Sequence, residues 1–102
     1  MTRLVSVDTH VHTAASYDST AAIDAVLASA ADAGLDALAI TDHDTMAGAR
    51  EAMERAREYG LVVVPGVEVS TADGHLLALG VADRPVAGRS LAETVATVRD
   101  RG

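Results

Sequence analysis

Short apolar runs alternate with helical stripes along this chain, and each of the first two stripes ends on a glycine. Leu4-Val5-Ser6-Val7, residues 35–40 and residues 61–69 are brief and rich in branched aliphatic side chains, the pattern of buried strands. Between them, Ile23, Val26, Leu27 and Ala30 recur at i, i+3, i+4 and i+7 ahead of Gly34. Met46, Ala49, Met53 and Ala56 fall at i, i+3, i+7 and i+10 ahead of Gly60, again one helical stripe, so both methionines are expected in the core. A fourth run, Leu76-Leu77-Ala78-Leu79, follows the third after a link too short for a helical crossover. That pair is therefore expected to be antiparallel or irregular. Ser90-Leu91-Ala92-Glu93 is a capping box that opens a last helix with Leu91, Val95 and Val98 on one side. Strands alternating with helices specify an α/β sheet or barrel, which carries its chemistry at the C-terminal ends of its strands.

All four histidines fall at or beside those strand ends. Asp8-Thr9-His10-Val11-His12 follows the first run, and side chains alternate along a strand, so Asp8, His10 and His12 are expected on one face. Two imidazoles spaced this way can close on one metal ion, with Asp8 as a further ligand or as acceptor for an imidazole N–H. Thr41-Asp42-His43-Asp44 ends the second run. Asp44 or Thr45 suits the N-cap of the next helix, which leaves Asp42 and His43 for chemistry. Glu68 stands inside the apolar third run, where an ionised carboxylate must be paired, protonated or metal-bound. Arg3 is one candidate for the paired case. His75 opens the fourth run after the turn signal Asp73-Gly74. Each of these features alone is ordinary, but their recurrence at four strand ends points to a metal centre.

The ordered set Asp8-x-His10-x-His12, Thr41-Asp42-His43-Asp44, Gly66-Val67-Glu68 and Gly74-His75-Leu76 resembles the N-terminal motifs of the polymerase and histidinol phosphatase (PHP) family, over residues 5 to about 80. The resemblance implies a distorted (β/α)7 barrel that holds two or three divalent ions, zinc, manganese or iron, and hydrolyses phosphoesters. It further implies that His10, His12 and Glu68 bind one ion, that Glu68 bridges to a second held by His75, and that His43 binds a third. Asp18 matches a position where the family places a further His or Asp ligand. The family's later ligands, a mid-chain His or Cys and a C-terminal Asp-x-His, have no counterpart after His75. The expectation is the N-terminal portion of such a barrel, with about four strands and three helices, the whole of residues 1–102 forming that part of one PHP domain.

Composition narrows the function classes. With no Phe or Trp and only Tyr17 and Tyr59, the core must be built from Ala, Val, Leu and Ile, which bury little apolar area per residue. A net charge of −7, with eight arginines and no lysine, argues against a nucleic-acid footprint. No glycine-rich phosphate loop and no serine in a nucleophile-elbow context competes with the metal reading. No run approaches membrane-spanning length, there is no basic leader and there is no cysteine, so the expected location is the cytoplasm. The expected activity is metal-assisted hydrolysis of a small phosphate ester, with Asp42 and His43 as catalytic candidates, Asp42 orienting His43 or moving a proton. Two other readings stay open: a non-catalytic metal-binding or interaction module, and an amidohydrolase-like C–N hydrolase. The open barrel edge is expected to favour self-association.

Overall fold

The computed structural model describes residues 4–101, so Arg3 lies outside the described residues. Four strands form one sheet in the order β1 (Val7–Val11), β2 (Ala37–Ile40), β3 (Val62–Thr71) and β4 (Gly74–Leu79). The first three are parallel and β4 returns antiparallel to β3, giving a curled half-barrel. Helices α1 (Ile23–Asp32) and α2 (Ala47–Arg55) are the crossovers, and α3 (Leu91–Asp100) follows the hairpin.

The stops lie where the sequence puts them. After α2 a 3-10 turn, Ala56–Tyr59, runs into Gly60 at φ 68°, a left-handed conformation that glycine adopts without a Cβ clash. Ser90 accepts a hydrogen bond from the Glu93 N–H at 3.1 Å to start α3, and Asp73 at the hairpin tip takes the Leu91 N–H at 2.9 Å. The third and fourth strands are joined by a tight turn, with Thr71 opposite Gly74.

Beneath the helices, Leu27 and Ala30 of α1 pack with Leu38, Ile40 and Val63 of the sheet and with Ala49, Ala52 and Ala56. Small residues on α2 let its backbone sit close to the strands. Leu27 and Ile40 are fully buried, each worth roughly 1.5–3 kcal/mol of burial. A second cluster, Met46, Val67, Val69, Ala78 and Val81, lies on the same side of the sheet further along.

Three expectations are corrected. β1 starts at Val7, not Leu4, and Leu4 is 90% exposed, because its partner strand comes alongside only at Ala37. Ser6 marks the entry, its carbonyl accepting the Asp36 and Ala37 N–H groups. Met53 is 47% exposed: α2 turns Gly48, Ala49 and Ala52 inward, and Met53 stands about 100° round the helix from Ala52. The α2 N-cap position is Met46 and lacks a side-chain bond, although Thr45 Oγ1 accepts the Ala47 N–H at 3.2 Å; Asp44 instead accepts the Ser70 N–H.

Candidate metal centre

A bulge in β1 decides which of its side chains reach the site. Asp8 pairs with Leu38 but Val11 pairs with Ile40, so β1 spends one extra residue between them. The slip breaks simple alternation. Asp8 is left on the helix side, lining a crevice with Val11, Ala25 and Leu38, and its carboxylate accepts the His10 N–H at 3.0 Å. His10 and His12 both turn to the other face. The expectation that Asp8 shares their face is therefore corrected.

On that face Glu68 is the centre. Its side chain is 8% exposed; His10 Nε2 and His12 Nε2 lie 2.7 and 2.9 Å from Oε1, and His75 Nδ1 lies 2.8 Å from Oε2. His43 Nδ1 stands 3.7 Å from the same Oε2, and it is buried without a hydrogen-bond partner among the described residues. β3 and β4 account for two of these positions: Ser70 is directly opposite His75 and Glu68 directly opposite Leu77, so all four side chains share a face. His43 meets Glu68 through an isolated parallel bridge, with the Asp44 N–H bonded to the Glu68 carbonyl and the Glu68 N–H to the Asp42 carbonyl.

Asp18 arrives on the loop after β1. It lies 3.0 Å from His12 Nδ1 and 2.9 Å from His43 Nε2. Ser16, 2% exposed, fixes the loop by donating to Asp18 Oδ1 at 2.7 Å while accepting the His43 N–H at 3.1 Å. Three ligand-competent groups result: His10, His12 and Glu68; His12, Asp18 and His43; His43, Glu68 and His75. In each, the donor atoms lie within 4.8 Å of one another.

Electrostatics favour ionised carboxylates. The Ser16 hydrogen bond, helped by bonds and positive potential from His12 and a bond to His43, outweighs desolvation and lowers Asp18 from 3.8 to about 2. For Glu68, burial pushes the pKa up, but the bonds to His10 and His12 and the positive potential of His43 and His10 hold it below 4.5. Imidazoles crowded round two carboxylates, with one buried ring nitrogen lacking a partner, form a donor set that divalent transition metals fit.

Asp42 is not part of this cluster. Its carboxylate is fully buried and accepts both the Thr13 N–H and the Thr13 hydroxyl, so it is turned toward Thr13 rather than toward the His43 ring and the cleft. The place beside His43 belongs to Asp18. Thr13, Ser16 and Tyr17 were not singled out from the sequence. Tyr17 is 79% exposed, with its ring 4.6 Å from that of His43. The only signal for them was position, directly after the His-x-His and around Asp18.

The family model for the PHP domain matches residues 8–95. The chain belongs to the PHP domain family. Over 80 residues it is 42% identical to phosphoribosyl 1,2-cyclic phosphate 1,2-diphosphodiesterase of Eggerthella lenta, a match covering 72% of this chain and 30% of that protein. A two-domain protein from Bacteroides vulgatus, containing a predicted PHP-like metal-dependent phosphoesterase, superposes with a TM-score of 0.83 over 96% of this chain and 33% of that one. At 21% identity, this likeness shows the fold. A candidate metal-dependent phosphoesterase from Bifidobacterium adolescentis is 37% identical, with a TM-score of 0.66 over 76% of this chain and 28% of that one. This PHP chain thus spans about a third of the length of these relatives. No helix among its described residues is long and apolar enough to cross a membrane.

Proposed function

We propose that this PHP chain supplies the N-terminal ligands of a metal-dependent phosphoesterase that hydrolyses a small phosphate ester with water. The observation that supports it best is Glu68, a carboxylate held ionised and nearly out of solvent with four imidazoles around it. An arrangement of this kind is costly as a mere ion cluster and suits cations. In the proposed assignment, His10, His12 and Glu68 hold one ion, Glu68 and His75 a second, and His43 with Asp18 a third. Zinc, manganese and iron are the ions proposed. When bound, divalent ions would neutralise phosphate oxygens and make water acidic enough to attack at neutral pH.

The protein's own residues do the rest. Two parallel strands and a hairpin fix the imidazoles, so little side-chain freedom remains to be lost when a ligand arrives. Asp18 fixes the His43 ring through Nε2, leaving Nδ1 to face Glu68. The His43 ring is the proposed catalytic element, through its place between Asp18 and Glu68. A net charge of −7 favours a small ester over a polymeric phosphate, and the cytoplasm is the proposed location of the reaction. Glu68 and the family match favour phosphoester over C–N hydrolysis.

The test is turnover of p-nitrophenyl phosphate and of a five-membered cyclic phosphodiester by chain reconstituted with Mn2+, Zn2+ or Fe2+. The proposal expects metal-dependent turnover that His43→Ala removes. Metal-replete protein with no turnover of either ester, even after restoration of the remainder of the barrel in a full-length relative's context, would overturn it.

A further inference from the structure

We infer that Asp42 is a positioning hub that sets the spacing of His12, His43 and Glu68, and that Thr13 and Gly48 exist in these places to let it do so; the inference rests on the metal reading above. Asp42 reaches three ligand-bearing segments at once. It is covalently joined to His43. Its backbone carbonyl accepts the Glu68 N–H at 2.9 Å. Its side chain takes the Thr13 N–H at 2.5 Å and the Thr13 hydroxyl at 2.7 Å, and Thr13 directly follows His12. Thr13 then organises its own loop, its Oγ1 accepting the Ala15 N–H at 3.2 Å and its carbonyl the Ser16 N–H at 2.9 Å. Ser16 in turn carries Asp18.

A fully buried carboxylate has to find its hydrogen-bond donors inside the protein. Thr13 supplies two of them, and the carboxylate lies against Gly48 in the first turn of α2. Gly48 is what allows that approach. A Cβ at Gly48 would collide with Asp42 Oδ2 and with Thr13 Oγ1, so an alanine there would drive the helix off the carboxylate. Glycine is otherwise a poor choice in a first helical turn. Its presence, like the pairing of two residues that are both fully buried, follows from the hub.

The experiment uses Co2+ as probe on the metal-free full chain, reading affinity and the visible ligand-field spectrum together with thermal unfolding of the metal-free protein. Thr13→Val keeps the shape and removes the hydroxyl; Thr13→Ser keeps the hydroxyl. Measured well below its unfolding transition, Thr13→Val should bind Co2+ about 10–100-fold more weakly, with a shifted spectrum, as loss of outer-shell support does. Thr13→Ser should restore both. Wild-type affinity and spectrum in folded Thr13→Val would overturn the hub, and so would equal losses in Thr13→Ser. Wild-type chain that takes up no Co2+ would overturn the metal reading and the hub with it. Should Thr13→Val fail to fold, Asp42→Asn, which keeps volume and an acceptor for the Thr13 N–H, carries the same comparison and the same expected direction.

Discussion

Glu68 lies between His12 and His75, with Oε1 2.9 Å from one imidazole and Oε2 2.8 Å from the other, so one carboxylate joins β1 to the β3–β4 hairpin. Its two oxygens face different ligand groups. That is the geometry a bridging carboxylate needs. Replacing it by an isosteric amide removes the charge that offsets two cations while leaving the surrounding packing in place. Glu68→Gln should therefore lower metal content at fixed free metal by at least about tenfold, the smaller end of what even a supporting partner contributes. Circular dichroism of the metal-free protein should be unchanged. Elemental analysis after gel filtration decides it, and unaltered occupancy would remove Glu68 from the ligand set.

His10 and His12 differ in exposure, 52% against 18% for their side chains, and only His12 also contacts Asp18. Because His12 belongs to two of the ligand groups and His10 to one, His12→Ala should cost more metal than His10→Ala. The double variant should lose most of it. Equal metal content in wild type and double variant, both refolded with manganese or zinc, would sink the assignment.

Much of this was legible in the sequence because the relevant signals are local. Gly34 and Gly60 ended their helices as read, Ser90 and Glu93 formed their cap, and the segment from Ser70 to Gly74 proved to be an antiparallel turn. His10, His12, Asp18, His43, Glu68 and His75 are brought together at one end of the sheet. What escaped depends on distant partners. The face taken by Asp8 hinges on one extra residue against β2, which period-two reasoning along β1 does not contain. The inward turn of Asp42 depends on the space left by Gly48 six residues later and on Thr13, 29 residues earlier. Met53 fits the helical spacing but falls beyond the narrow arc that α2 presents to the strands.

Tyr59 offers a test of the packing between α1 and the end of α2. Partial burial, together with a hydrogen bond donated to Asp24 at 3.2 Å and the negative potential of that carboxylate, raises its pKa above 10.0. A phenol with a raised folded-state pKa binds its proton more tightly when folded. Its contribution to stability is thus complete below pH 10, and it is lost as pH rises from 10 through the folded value. In metal-free protein kept in chelator, the melting temperature should fall more steeply as the pH rises above 10 than in Tyr59→Phe. The chain has no tryptophan and its other tyrosine is Tyr17, so the difference in phenolate absorbance between wild type and Tyr59→Phe reads the titration of Tyr59. A Tyr59→Phe variant whose pH dependence matches the wild type would show that this tyrosine gains nothing from the fold.

The last prediction concerns the open face of the half-barrel. Leu77 and Leu79 are 37% and 43% exposed and lie opposite Glu68 and Gly66, on the face that carries the metal site. Val7, Ala37 and Val62 form a row across the parallel strands on that same side, with Val62 63% exposed. β1 and β4 are the outer strands of the sheet, so each presents backbone groups that no neighbour pairs among the described residues. An apolar face flanked by two free edges is a template for another chain, and neither β1 nor β4 contains a lysine or proline to blunt it. The purified chain should therefore self-associate as its concentration rises in sedimentation velocity. Leu77→Glu with Leu79→Lys should shift it toward monomer without unfolding it, since both side chains point away from the core beneath the helices. A wild-type chain that sediments as a monodisperse monomer and melts cooperatively would mean that the half-barrel is self-sufficient.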